Sequence, residues 1–210
     1  TNNASHSCEL KLTQKSGVER DVAVKAAFRQ REHGRNIIIQ LHDITELKKI
    51  ENERKRFEEN LSALNTYGQS LNMAKTLEEI YNLTLTATEK TLGFQYASIL
   101  MVEGKRIRIV AHRGFSGKLN FTLPLNGNKG ITVKVVKTKK PLYVPDTKKD
   151  KAYVVGRYGT RSELAVPIKT GNNVLGVLNV ESDRFAAFNE RDKRLLEILS
   201  SHAAIAISNL

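Results

Sequence analysis

The chain of 210 residues carries five histidines and one cysteine, the side chains with the richest metal and nucleophile chemistry. His6, His33, His42, His112 and His202 are scattered, with no pair four residues apart and no carboxylate spacing that completes a metal set. No metal site is therefore expected. The lone Cys8 excludes an intramolecular disulfide and a thiolate zinc cluster. His202 would suit a phosphoacceptor if an acidic residue followed it. Ala203 follows instead, on an apolar helical row, so His202 reads as a packing residue. His112 reads as a strand-end histidine in preference to a haem ligand. Gly127 and Gly130 read as loop and helix entry, not as a nucleotide-binding box. No catalytic residue is assigned.

The elements that must position any site fall into three stretches. Residues 8–43 read as strands: "CELKLTQ", then "VERDVAVKAAF" with Val22, Val24, Ala26 and Phe28 on one face, then "NIIIQLHD". Glycines in the breaks at 15–17 and 32–34 suit turns that need positive φ. A meander of about 35 residues is too thin to bury a core alone, so its apolar face needs a cover. The highly charged run "HDITELKKIENERKRFEENLSALN" follows. Leu47, Ile50, Arg54, Phe57, Leu61, Leu64, Gly68 and Leu71 recur at alternating spacings of three and four, a coiled-coil seam with two defects. Asp43 with Glu46 resembles a capping box that would start the helix. In a parallel pair Glu46 and Glu53 would face Glu51 and Glu58 and repel, so the coil reads as marginal and plastic. Residues 67–210 alternate helices with strands: a helix opened by "TLEE", strands at 95–102 and 106–113, a short helix and strand within 130–146, strands at 163–169 and 173–181, and a last helix capped by Asn189. That last helix has two apolar rows, Leu195, Ile198, His202 and Ile205 beside Leu196, Leu199, Ala203, Ala206 and Leu210. The fold class is α+β, with helices flanking a mostly antiparallel sheet.

"GITVKVVKTKKPLYVPD", "RSELAVPIKTGNNVLGVLNVES", "AFNERD" and "HAAIAISNL", in that order, resemble a GAF domain over 67–210. "CELKLTQKSG…RNIIIQLHDITE" resembles the C-terminal part of a PAS domain over 1–45, ending in Asp43, Ile44 and Thr45, with 46–66 as signalling helix and coiled-coil linker. The resemblance implies a sheet of about six antiparallel strands, a homodimer formed through the first and last helices, and an effector beyond Leu210, as in sensory regions of histidine kinases. It assigns coupling to Asp43, Ile44, Thr45, Leu47, Arg54, Phe57, Leu61 and Leu64, and dimer contact to Leu195, Ile198 and Ile205. A ligand pocket in such a fold lies between the sheet and 143–162, where Tyr143, Tyr153, Arg157, Tyr158 and Ser162 offer stacking faces and polar handles for a small anionic ligand. The competing reading makes the tyrosines core filling. No cofactor is expected: the PAS part lacks the half that would wall a haem or flavin pocket. The GAF part has no cysteine for methionine sulfoxide reduction or bilin attachment. The cyclic-nucleotide signature matches only in Asn179, Phe188 and Asp192.

Composition sets the remaining bounds. Hydrophobic residues make up 40% of the chain, enough for a core, and no apolar run approaches the roughly 18 residues that span a bilayer. With no signal peptide visible, a cytoplasmic setting is expected. Thr1 opens the chain and the methionines are Met73 and Met101, so a piece of a longer protein is expected. The net charge of +12 includes the cluster Lys134, Lys137, Lys139, Lys140, Lys148, Lys149 and Lys151, read as solvated surface in preference to a nucleic-acid patch. The rival functions are a GAF-type small-molecule enzyme and a basic nucleic-acid adaptor.

Overall fold

The structure, a computed structural model, describes residues 5–31, 34–115 and 121–210, without the side chains of 5, 28–31 and 34–36. The side chain of Phe28, and His33 with its turn, therefore lie outside the described residues. The chain divides into two compact units, residues 1–58 and 59–210.

In the first unit β1 (Ser5–Thr13), β2 (Glu19–Arg31) and β3 (Gly34–Asp43) form an antiparallel sheet in chain order. Gly17, with φ of +83°, turns β1 into β2 where a side chain would be strained. The register pairs Leu10 with Val22 and Val24 with Leu41, so the alternate apolar residues of all three strands share one face. Among the described residues of this unit only Val22 is a buried hydrophobic; Leu10, Leu12, Ile37, Ile39 and Leu41 remain exposed.

Helix α1 (Thr45–Met73) leaves β3 through a different cap from the one its sequence suggests. Asp43 Oδ1 accepts from the Thr45 backbone N–H at 3.0 Å and from the Thr45 hydroxyl, and Asp43 Oδ2 meets the Arg20 guanidinium. Glu46 instead approaches Lys49 one turn on. Three donors on one carboxylate hold Asp43 down to about 2, with Thr45 the largest influence and Arg20 second. Thr45 Oγ1 also accepts the Asp21 N–H, and Lys48 pairs with Glu9, so the helix start is tied to β1 and β2 by polar contacts.

The second unit holds the end of α1, α2 (Leu77–Lys90), β4 (Tyr96–Glu103), β5 (Arg106–Arg113), β6 (Thr122–Pro124), α3 (Ile131–Thr138), β7 (Leu142–Val144), β8 (Ser162–Thr170), β9 (Asn173–Ser182) and α4 (Glu190–Ser208). Its six strands run β6-β5-β4-β9-β8-β7, each antiparallel to its neighbours. Thr76 caps α2 through the Glu79 N–H, and Asn189 with Asp192 makes a full capping box on α4. Helix α3 packs on β8 and β9, where Leu100, Ile107, Ile131, Val135, Ala165 and Val177 form a buried cluster. Leu164, Val166, Leu178 and Val180, of the opposite parity, are equally buried, and α4 packs on β8 and on α2. A sheet covered on both faces leaves no solvent side for its polar residues. Each polar side chain within it must find a partner or form a site.

Candidate ligand site

Such residues occur where β8 and β9 begin and end. Glu163 stands directly opposite Glu181, Ala165 opposite Asn179, and Asn179 opposite Ser98 of β4, all on the α3 face. Glu163, Glu181, Asn179 and Ser98 are buried, and they line a small chamber of about 30 Å³ with Gly130, Thr132 and Gly156. Like charges directly opposite in a sheet repel. Burial first, and then the charge of Glu181, pushes the Glu163 carboxyl well above the usual range; burial likewise raises Glu181. Asn179 Nδ2 donates to Glu181 Oε1 at 3.3 Å, while the Thr160 hydroxyl donates to Glu181 Oε2. Asn179 Oδ1 is buried and has no hydrogen-bond partner.

The segment between β7 and β8 crosses this chamber. Gly130 N–H at the start of α3 donates to Ala152 O at 2.6 Å, and Lys134 reaches Asp150 at 3.6 Å. At its far end the Thr147 hydroxyl donates to Thr160 O and the Arg161 N–H to Ser182 O. Between those ties Arg157 turns inward, its side chain only 15% exposed. The guanidinium lies 3.7 Å over the Tyr96 ring and places Nε 3.8 Å from Glu181 Oε2. That distance carries charge compensation but no hydrogen bond. Arg157 Nη1 donates to Tyr158 O at 3.2 Å, whereas Nε and Nη2 are buried without partners. Outside the segment lies a cleft of about 480 Å³ lined by Thr147, Lys148, Tyr153, Arg157, Tyr158 and Arg161, among others. Its volume falls in the range of small-molecule sites. Burial pushes the Tyr153 hydroxyl up to about 12, which keeps it protonated as a donor.

The structure thus brings together three of the five residues expected from sequence, Tyr153, Arg157 and Tyr158. Tyr158 is 92% exposed at the rim. Tyr143 packs edge-on against Phe188 and is not among the cleft residues. Ser162 is fully buried and its hydroxyl is engaged, donating to Arg184 O and accepting the Ala187 N–H. His112 packs edge-on to Phe115. Among the described residues no group of three or more His, Cys, Asp or Glu is placed to hold a metal ion.

The seam residues of α1 differ in burial along the helix. Leu47 and Ile50 are exposed, Phe57 and Leu61 half-buried, and Leu64, Gly68 and Leu71 buried within the second unit. Arg54 pairs along its own helix with Glu58 at 3.6 Å. Gly68 makes room for His202: a Cβ there would come 2.6 Å from the imidazole Nδ1. On α4 Leu195 is buried, Ile198 half-buried and Ile205 exposed.

Residues 74–208 match the sequence profile of the GAF domain. This chain belongs to the GAF family. It is 26% identical over 120 residues to GAF domain-containing protein A of Dictyostelium discoideum, covering 57% of this chain and 73% of that protein. It is 29% identical over 122 residues to the Nif-specific regulatory protein of Azospirillum lipoferum, covering 54% of this chain and only 19% of that protein. A GAF domain from a phosphoenolpyruvate-protein phosphotransferase of Coxiella burnetii superposes with a TM-score of 0.65 at 20% identity, covering 73% of this chain and 95% of that one. Residues 74–208 are thus a GAF domain on a six-stranded α+β scaffold. No helix among the described residues is long and apolar enough to cross a membrane.

Proposed function

We propose that this chain is the sensory and dimerising region of a cytoplasmic signal-transduction protein, a sensor histidine kinase or a related regulator. Residues 1–45 act as the C-terminal part of a PAS domain, 46–66 as signalling helix, and 67–210 as the ligand-responsive GAF domain. The observation that carries the reading is the cleft of about 480 Å³ set against a buried polar cluster that is not fully satisfied. A purely structural domain gains nothing from such a cluster, whereas a ligand that completes it shifts the population of the segment above. The exposed apolar face of the β1–β3 sheet supports the PAS assignment, since that face requires a cover. Helix α1 runs without a break from Thr45 to Met73 and so provides a covalent path for coupling. The effector lies beyond Leu210 in this reading, and neither a cofactor nor nucleic acid takes part.

Native mass spectrometry of freshly purified, untagged protein tests the proposal. A dimer carrying a small-molecule adduct is the expected result. A monomer without adduct, unchanged across a metabolite panel, overturns it.

A further inference from the structure

The chamber has a specific imbalance of hydrogen-bonding groups. Glu181 and Asn179 Oδ1 supply acceptors, Glu163 is a carboxyl whose protonated form is favoured, and the protein donors seen to reach Glu181 are Asn179 Nδ2 and the Thr160 hydroxyl. The nearby positive charge is Arg157, whose guanidinium neutralises Glu181 from 3.8 Å and leaves two of its own buried nitrogens without partners. Arg157 Nε and Nη2 forgo hydrogen bonds at that gap, while both Glu181 oxygens keep theirs, and buried unpaired donors cost stability wherever they occur. Arg157 therefore matches Glu181 in charge but not in hydrogen-bond geometry. A primary ammonium is smaller, carries the same charge and presents three donors in a tetrahedral array. It can also lie on the Tyr96 face that the guanidinium now covers. A divalent cation fits less well, because two carboxylates and one amide are a sparse set and no larger acidic or histidine group is placed there among the described residues.

We propose that the Glu181 carboxylate, at the edge of the acidic chamber, is the recognition point for a small ligand bearing a primary ammonium, and that Arg157 is a tethered occupant of that carboxylate which this ligand must displace. The inference deepens the ligand-sensing reading of the same cleft and rests on it. The ammonium takes the place of the guanidinium against Glu181 and on the Tyr96 ring, with Asn179 and Glu163 of the chamber on the far side of Glu181. The rest of the ligand extends into the outer cleft beside Lys148 and Arg161. Released from Glu181, Arg157 carries residues 154–159 away from the sheet while the ties at Ala152 and Thr160 stay fastened. Occupancy is thereby converted into movement of the segment between β7 and β8. The raised carboxyl of Glu163 agrees with a site short of positive charge.

A tethered occupant lowers apparent affinity by the fraction of time it leaves the site free. If that fraction is about a tenth, removing the side chain tightens binding roughly tenfold. The experiment is calorimetric titration of the whole chain and of its Arg157→Ala and Glu181→Gln variants, each checked for folding by thermal melting. The probes are n-pentylammonium, L-norleucine, n-pentanol and hexanoate. The expected result is binding of one or both amines, about tenfold tighter in Arg157→Ala and lost in Glu181→Gln, with no binding of pentanol. Preference for norleucine over pentylammonium assigns the ammonium to an amino acid, and the reverse assigns it to a simple amine. Equal or weaker amine binding by a folded Arg157→Ala overturns the tethered-occupant claim. Binding of hexanoate alone overturns the ammonium claim while leaving a ligand-sensing cleft. Absence of binding by every probe to wild type and Arg157→Ala overturns this inference, and an adduct in native mass spectrometry would then show that the broader reading survives it.

Discussion

Glu163 and Glu181 face each other because of one extra residue. At the β8–β9 turn Thr170 pairs with Asn173 and Lys169 with Val174; after the irregularity Ile168 pairs with Gly176, leaving Leu175 without a cross-strand partner. Continued without that bulge, the register of the turn would set Glu163 against Val180 and place the two carboxylates on opposite faces. The bulge brings them together, and the fold tolerates the repulsion by favouring protonation. A carboxyl raised in the folded state binds its proton more readily there than in the unfolded chain, so stability declines as pH rises above the ordinary glutamate value. The second unit should therefore melt lower at pH 8 than at pH 5. Glu163→Gln should flatten that dependence and raise stability at pH 8 by about 1 kcal/mol, the scale of one relieved like-charge pair. Melts of wild type and variant at the two pH values check this; a parallel loss in both would remove Glu163 as the cause. Asp43 carries the opposite sign. Held down to about 2 from an ordinary 3.8, it contributes to the first unit above pH 3.8, and that contribution disappears as pH falls through about 2. Asp43→Asn should abolish this acid-limb change, read by the amide exchange of β2 and β3.

Among the elements, the close approach of α1 to α4 makes a sharp prediction. Replacing glycine by alanine inside an exposed helix gains about 1 kcal/mol from propensity. Gly68 is buried, however, and its missing Cβ position lies against the His202 ring. Overpacking of this kind costs about 1–3 kcal/mol, so Gly68→Ala should destabilise despite the helical gain. His202→Ala should restore the gain when combined with it, and a double-mutant cycle by denaturant unfolding measures the coupling. Additive effects would mean that the ring simply moves aside. The same contact explains the legibility of this protein. Alternation and turn glycines in "ELAVPIK", "NVLGVLNVE" and "RIRIVAHR" were enough to place their strands, and "TLEE" and Asn189 marked true helix starts. Packing His202 was legible from its apolar row. Strand β6, three residues ending in proline, was too short to show a period. The cap at Asp43 was misread because Glu46 had the right spacing, whereas the carboxylate of Asp43 bonds the nearer Thr45. Glu163 and Glu181 escaped notice for a deeper reason. Alternation assigns residues to faces but does not report that both faces are covered, and a bulge changes which residues meet.

At the scale of the whole molecule, the heptad seam of α1 divides by burial. Its later members Leu64, Gly68 and Leu71 are buried in their own chain, whereas Leu47 and Ile50 expose more than half of their surface. A seam read from spacing alone cannot make that division, since intramolecular and intermolecular packing demand the same apolar rhythm. The consequence is practical. Leu64→Asp would place a charge in a fully buried position and unfold the second unit, so loss of a dimer in that variant would say nothing about a coiled coil. Leu47→Asp with Ile50→Asp is the informative change, because both side chains are exposed within the chain itself. If these turns form the proposed coil, sedimentation equilibrium should show association weakened by tenfold or more toward monomer, about 1.4 kcal/mol at the least. The melting of the GAF unit should meanwhile stay where it was. A dimer unchanged by the pair would move the interface to α4, where Ile205 is the exposed member of its row, and Ile205→Asp would then be the variant that dissociates it. In the proposed reading the distinction decides how a ligand signal would leave the domain. Coupling through α1 would carry it back along the chain toward the first sheet, whereas coupling through α4 would carry it toward Leu210, and the two variants tell these routes apart.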